Sequence, residues 1–232
     1  MTAPKLSIVM PVLDEAADIE AALGALAPLR ARGVEIIVAD GGSQDGTPDL
    51  ARPLADQALI APRGRALQMN AGAAAAHCDV LLFLHADTRL PENADRLVLD
   101  SLARTQNTWG RFNVHIDGGG LLGVVSFMMN ARSRLTGIAT GDQAMFMTRA
   151  AFEAVGGFPA IALMEDVALS ARLKRLGLPL CLRACVTTSP RRWRKHGVLR
   201  TILLMWRLRL AYYFGADPAK LARSYGYVPA QN

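Results

Sequence analysis

Apolar residues fall along this chain in two rhythms. Leu6–Val12, Glu35–Ala39, Ala58–Ala61 and Val80–Leu84 are short, largely apolar runs bounded by polar or turn residues, the pattern of strands buried on both faces. Between them lie longer stretches with helical spacing. One covers Glu15–Leu29, and a second opens at Thr47-Pro48 with proline at its first position. An alanine-rich stretch runs from Gly64 to about His77, and another starts near Pro91. Strand and helix alternating over short connections predict an α/β fold with a mostly parallel central sheet flanked by helices. After about Asn107 the rhythm changes to a strand at Gly110–Ile116, a helix at Leu121–Leu135 and a strand at Gln143–Thr148. A helix at Glu165–Leu176 and a last strand at Leu180–Thr187 follow, then an apolar helix over Val198–Phe214 interrupted by Arg200, Arg207 and Arg209. No repeat or linker interrupts the chain, so 1–232 is read as one domain in three stretches, 1–107, 108–190 and a basic helical tail, 191–232.

The 232 residues are 51% hydrophobic, enough for a full core. No stretch approaches the roughly 18–20 apolar residues of a membrane span. A strand beginning at Leu6 predicts that no signal peptide precedes it. Cys78, Cys181 and Cys185 are scattered without zinc spacing and read as reduced thiols of a cytoplasmic protein. Charge changes the picture through its distribution. From Val167 to Asn232 there are 13 Lys/Arg and one acid, Asp217, so a chain of net charge +6 divides into an acidic body and a basic tail. Such a tail suits an anionic ligand or membrane surface; no nucleic-acid-binding motif accompanies it.

Candidate chemistry gathers where the strands end. The first strand runs into Pro11-Val12-Leu13-Asp14-Glu15 rather than a G-x-G-x-x-G turn, which counts against a dinucleotide fold. Asp14 and Glu15 either receive ligand hydroxyls or complement a helix dipole. Asp40, followed by Gly41 and Gly42, either accepts from a nucleobase or closes an Asx turn, while Asp45-Gly46 reads as turn chemistry. Arg63 and Arg65 at a helix start suit a diphosphate or form a solvated basic turn, and Gly72 suits close packing of that helix on the sheet. Asp87 follows the most buried run and is placed to hold Mg or Mn with the help of phosphate oxygens. His85, two residues earlier, is either a further ligand or a packing group. Glu165-Asp166 opens a helix, where ionised carboxylates are favoured, and serves either as general base or as a cap.

Together these segments resemble the family 2 glycosyltransferases of GT-A fold over roughly residues 6–190. The resemblance rests on Met10–Glu15, Glu35–Thr47, Arg65–Gly72, His85-Ala86-Asp87, Gly141-Asp142-Gln143 with Phe152 and Gly156-Gly157-Phe158, and Glu165-Asp166. It implies inverting, metal-assisted transfer from a nucleoside-diphosphate sugar, UDP-linked, to an acceptor hydroxyl. By the same resemblance, 1–107 is the nucleotide-binding half and 108–190 the acceptor half. Asp166 is then the base with Glu165 beside it. Pro11, Asp14, Glu15, Asp40, Gly41, Arg65 and Asn70 serve the nucleotide, and Asp87, with His85, serves Mn or Mg. Gly141, Asp142, Gln143, Arg191, Arg192, Trp193 and His196 lie on the acceptor and phosphate side. Three departures stand out: Val12 and Leu13 replace an aromatic residue, Gly41 stands where relatives carry an acid, and His85 replaces the first acid of Asp-X-Asp. A lipid-linked acceptor and peripheral membrane contact through 191–214 fit the tail, as does an apolar helix docked with snorkelling arginines. A sugar-phosphate nucleotidyltransferase and a non-catalytic sugar-nucleotide sensor are the competing classes.

Overall fold

The short apolar runs pair in the middle of one sheet. β1 (Leu6–Val12) lies between β2 (Glu35–Asp40) and β4 (Val80–Phe83), parallel to both, with Val9 level with Ile37 on one side and Phe83 on the other. Every residue of β2 and β4 is buried, as the apolar runs Ile36–Ala39 and Val80–Phe83 require, and the burial extends to Glu35 and Asp40 at the ends of β2. The computed structural model describes residues 5–227, and within them β3 (Gln57–Ile60) adds a further parallel strand outside β2. On its far side β4 meets an antiparallel neighbour, β7 (Phe146–Thr148). Beyond it come β6 (Trp109–Ile116), β8 (Leu180–Thr188) and the two-residue β5 (Thr88–Arg89). The described residues thus form an eight-stranded mixed sheet in the order β3-β2-β1-β4-β7-β6-β8-β5.

Alternation along β1 divides the core into two layers. Ile8, Met10 and Val12 face a layer built by Ile19 and Leu23 of α1 (Ile19–Gly24), Leu29 of α2 (Ala27–Ala31) and Val98 of α5 (Ala94–Ala103). Val9, Ile37, Leu81 and Phe83 face the other layer. There they meet Met69 and Ala73 of α4 (Arg65–Ala75), Phe152 of α7 (Arg149–Ala154) and Leu169 and Leu173 of α8 (Glu165–Leu173). Each such fully buried aliphatic side chain contributes about 1.5–3 kcal/mol. α3 (Thr47–Ala51) joins β2 to β3 with Pro48 in its first turn.

Three stretches depart from the sequence pattern for identifiable reasons. The single helix expected over Glu15–Leu29 is two, because Pro28 lacks an N–H and its ring clashes with the carbonyl four residues back, at Gly24, where α1 ends. The strand expected from Gln143 begins only at Phe146. Gly141–Gln143 is a 3-10 turn, its Gln143 Oε1 accepting from Thr140 N at 3.2 Å, and Ala144 has φ +44°. α8 stops at Leu173, short of Leu176, because the chain tightens into i→i+3 turns (Arg175 N to Arg172 O, Leu176 N to Leu173 O) before Gly177, whose φ of +154° is not helical.

The tail docks rather than trailing. α10 (Val198–Tyr213) packs Leu208 against Leu221 and Ala222 of α11 (Pro218–Tyr225) and against Leu163 and Met164, just before α8. Trp193 of α9 (Arg191–His196) and Ile202 of α10 pack on Leu122 and Val125 of α6 (Leu121–Thr136).

Gly72 is where α4 touches β1, and a Cβ there would lie 2.4 Å from Val9 Cγ1. Gly72→Ala is expected to destabilise the fold by about 1–3 kcal/mol, an overpacking cost, read as a lowered midpoint in thermal or denaturant unfolding.

Candidate active site

Polarity of pairing decides what meets at the sheet edge. β4 runs parallel to β1 but antiparallel to β7, so the chain leaving β4 and the chain entering β7 arrive at the same end. Phe83 N donates to Met145 O at 2.9 Å, and from there His85-Ala86-Asp87 lies beside the Gly141–Gln143 turn. Gly141 leaves room for the His85 ring, since a Cβ would fall 2.5 Å from His85 Cε1. His85 Nδ1 faces Asp142 Oδ1 at 3.5 Å. Gly141 N donates to Asp166 Oδ2 at 2.8 Å, and Val167 N to Asp166 Oδ1 at 2.7 Å. Met164, at the N-cap of α8, holds φ +70°, a left-handed conformation that aims Glu165 and Asp166 into this cluster.

Charges here are crowded and poorly hydrated. Glu165 is 2% exposed and pairs with Arg65 (Nη1–Oε1 3.3 Å) at the start of α4. Burial works against the Arg65 charge, but the carboxylates of Glu165, Asp166 and Asp142 outweigh it and raise its pKa. Burial, followed by the adjacent Glu165 charge, pushes the Asp166 carboxyl up to about 6 against its two amide hydrogen bonds and Arg65. Asp142 moves the other way: burial alone would raise it, but the His85 hydrogen bond and the His85, Arg65 and Arg192 charges hold it low. His85, Glu165 and Asp166 line a small cavity closed by Met69, Phe83, Met145 and Phe158.

A larger cavity of about 330 Å³ adjoins it and shares His85. Pro11, Glu15, Arg65, Gln68, Asp87 and Tyr227 are among its walls. Burial leads the causes that raise the Glu15 pKa; Arg191 opposes it and Asp87 adds to it. The turn carrying Glu15 is stapled to the turn after β2. Asp14, at φ +53°, accepts from Gln44 N and donates its own N–H to Ser43 Oγ, while Asp45 accepts from Ala16 N and Thr47 N.

Several sequence candidates have structural duties. Asp40 is 1% exposed and closes an Asx turn, accepting from Gly42 N, Ser43 N and Ser43 Oγ. Asn70 does not reach the larger cavity: its amide donates to Phe158 O and accepts from Phe158 N, fastening α4 to the loop before α8. Gly41 backs onto Gln68, which is buried and donates to Val12 O (2.6 Å) and Ala39 O (2.9 Å), tying the carbonyl ends of β1 and β2. The sequence singled out Gln68 only as part of a motif; its place one turn after Arg65 on α4 was the available signal. Arg191 pairs with Asp18 and approaches Glu15 at 3.7 Å, so the tail reaches the first turn. Arg192 stacks over the Tyr225 ring, 3.4 Å from its centroid, and donates to Tyr225 O. Trp193 turns toward α6, and His196 is exposed at the end of α9.

Among the described residues no three His, Cys, Asp or Glu side chains cluster as a ready-made metal cage. Asp87 and Glu15 nevertheless face one cavity beside Arg65. One or two carboxylates suit Mg²⁺ or Mn²⁺ when phosphate oxygens and water complete the shell, so this donor set fits a cation bound together with a diphosphate. His85 has its Nδ1 turned to Asp142 instead.

The family model described as glycosyl transferase family 2 matches residues 7–156. The chain belongs to that family. This family 2 chain is 36% identical over 116 residues to the succinoglycan biosynthesis protein ExoA of Rhizobium meliloti (strain 1021), a match covering 44% of the chain and 34% of ExoA. It therefore spans about a third of the length of that curated relative. Among solved structures it resembles the mannosyltransferase PcManGT from Pyrobaculum calidifontis in complex with GDP-Man and Mn²⁺. That match has a TM-score of 0.65 and 19% identity, over 98% of this chain and 70% of that one. It also resembles S. aureus TarS 1-349 in complex with UDP, with a TM-score of 0.67 and 17% identity over 80% and 60%. At these identities the likeness establishes the GT-A fold of the family 2 chain.

The Gly141–His85 approach makes a specific test of this assembly. Gly141→Ala is expected to cost about 1–3 kcal/mol in unfolding experiments, and His85→Ala in the same chain should recover most of that loss.

Proposed function

We propose that the chain is an inverting glycosyltransferase, moving a sugar from a nucleoside-diphosphate donor, UDP-linked in our reading, to an acceptor hydroxyl. The observation that carries this reading is the junction at His85, where a cavity walled by Glu15, Arg65 and Asp87 adjoins the one that contains Asp166. Pro11, Asp14, Glu15 and the Asp40–Gly41 turn form the nucleoside side, and Asn70 supports the loop opposite. Arg65 lies where it offers positive charge to the diphosphate as the bond from the anomeric carbon to the phosphate oxygen breaks. Mn²⁺ or Mg²⁺, held by Asp87 and the diphosphate, would add further charge to the leaving group.

Asp166 takes the proton of the acceptor hydroxyl as its oxygen bonds to the anomeric carbon from the face opposite the leaving group, which inverts that centre. A carboxylate with a pKa near 6 is ionised at neutral pH yet a stronger base than an ordinary aspartate. Glu165 anchors Arg65 and helps to set that basicity. His85 positions Asp142, and Gly141, Asp142, Gln143, Arg192 and Trp193 form the acceptor side. The Mn²⁺ and GDP-Man of PcManGT and the UDP of TarS are in keeping with such a donor site.

The tail supports peripheral membrane contact by 191–214. Leu199, Leu203, Trp206, Leu210 and Tyr213 are exposed at helical spacing along α10, with Arg200, Arg207 and Arg209 around them. No helix among the described residues is long and apolar enough to cross a membrane. The free thiols of Cys78, Cys181 and Cys185 are in keeping with a cytoplasmic location.

Release of nucleoside diphosphate from a panel of UDP- and GDP-sugars, with Mn²⁺ or Mg²⁺, tests the reaction. Asp166→Asn should lower kcat by about 10²–10⁴-fold while donor binding by calorimetry persists; near-normal turnover would remove Asp166 as the base. Because the base works only when ionised, kcat/KM should fall as pH drops through about 6. Glu165→Gln, lacking the neighbouring charge, should move that limb to lower pH. In flotation assays the chain should rise with phosphatidylglycerol-containing vesicles and release in high salt; absence from the lipid fraction would refute the membrane contact.

A further inference from the structure

A third cavity has Asp142 in its lining. It encloses about 280 Å³ between α6 and α10, with Val125, Met128 and Met129 on one wall and Ile202, Met205 and Trp206 on the other. Trp193 of α9 closes one end. Its lining is overwhelmingly apolar, yet Arg132 and Arg209 enter it as well as Asp142. Arg132 is the unusual member. Its Nε and Nη2 are both buried and have no hydrogen-bond partner. Buried polar groups are normally paired, and two guanidinium N–H-bearing nitrogens left without partners out of reach of water are costly. Asp142 lines the same cavity, and the residue before it, Gly141, donates to Asp166 Oδ2 at 2.8 Å, so the cavity abuts the turn that holds the proposed base.

The surroundings say what would satisfy it. Neither α6 nor α10 contains an acid, and Leu203, Trp206 and Leu210 of α10 and Val124, Phe127 and Met128 of α6 are exposed beside the cavity. An apolar channel with a cationic floor, opening onto an apolar, basic-rimmed face, complements an amphiphile whose anionic head sits at Arg132. Fixed donors in a fork recognise phosphate oxygens well.

We propose that this cavity is the acceptor subsite, and that the acceptor is a membrane lipid whose headgroup carries a phosphate and the accepting hydroxyl. Arg132 pairs with the phosphate, the α6–α10 walls hold the adjoining chain, and the headgroup hydroxyl is directed past Asp142 toward Asp166. This deepens the transferase reading and rests on it.

Dodecyl phosphate, kept below its micelle concentration, is the probe, followed through the emission of Trp193 and Trp206 in the full chain. Saturable binding is expected, at least about tenfold tighter than that of dodecyl maltoside, and Arg132→Gln should weaken it by at least about tenfold, the scale of one lost hydrogen bond to a charged group. Met128→Glu, at an exposed wall position, should weaken it similarly and decides the matter if Arg132→Gln fails to fold. Vesicles of phosphatidylglycerol should displace the probe, and vesicles of phosphatidylcholine should not. Equal binding by the folded variants, equal binding of the maltoside, or displacement by inorganic phosphate alone would overturn the proposal. Calorimetric titration with donor and Mn²⁺ is independent of this cavity. If that titration fails while dodecyl phosphate binds, the donor reading is at fault; the reverse pattern condemns the acceptor subsite alone.

Discussion

The site depends on one constraint of pairing, that β4 has a parallel neighbour on one side and an antiparallel neighbour on the other. A wholly parallel sheet would send the chain before β7 to the opposite edge, far from His85. The reversal brings the exit of β4 and the entrance of β7 together, and Gly141 then has no side chain to keep them apart. Asp166, Asp142 and His85 meet because of that geometry, and the contact of His85 with Asp142 follows from it. Indeed, two carboxylates and a buried Glu165 so close together repel, and the assembly persists because amide N–H groups and Arg65 offset the repulsion.

Strain falls in the connections that build the site. The three described non-glycine residues with positive φ are Asp14, Ala144 and Met164, in the turn after β1, just before β7 and just before α8. Such conformations cost of order 1–3 kcal/mol and persist where surrounding structure dictates them. Here the dictating structure is the pair of buried core layers, which fix the strand ends and leave the connections little freedom. Stability generated in the core thus holds polar groups where water would otherwise separate them.

Much of this was legible in the sequence. Buried strands announce themselves by unbroken apolar runs, and β1, β2 and β4 lie close to their predicted bounds. Gly72 reads correctly as a packing glycine because its neighbours on α4 are small. Long-range pairing was not legible. Nothing within a few residues of His85 reveals that it faces Asp142, or that Gly141 makes room for it. Asp40 and Asn70 show the same limit from the other direction: side-chain type allowed both a ligand role and a backbone role, and only the fold shows their oxygens engaged with backbone and Ser43. The break between α1 and α2 was readable from Pro28, but helical periodicity continues across it and masks it. Arg132 stands between Asn130 and Arg134 in the polar end of α6, and the unpaired state of its Nε and Nη2 is a property of the assembled helices alone.

The contacts of Arg191 with Glu15 and Asp18 join positions more than 170 residues apart, and Tyr227 lines the same cavity as Pro11. Such long-range closures are slow to form and come late. As the chain leaves the ribosome, β1, β2 and β4 can assemble while the tail is still being made. The cavity at their carboxyl ends stays open on one side until the segment from Arg191 to Tyr227 has emerged. Synthesis order therefore delays completion of the pocket until the sheet that bears it is already in place.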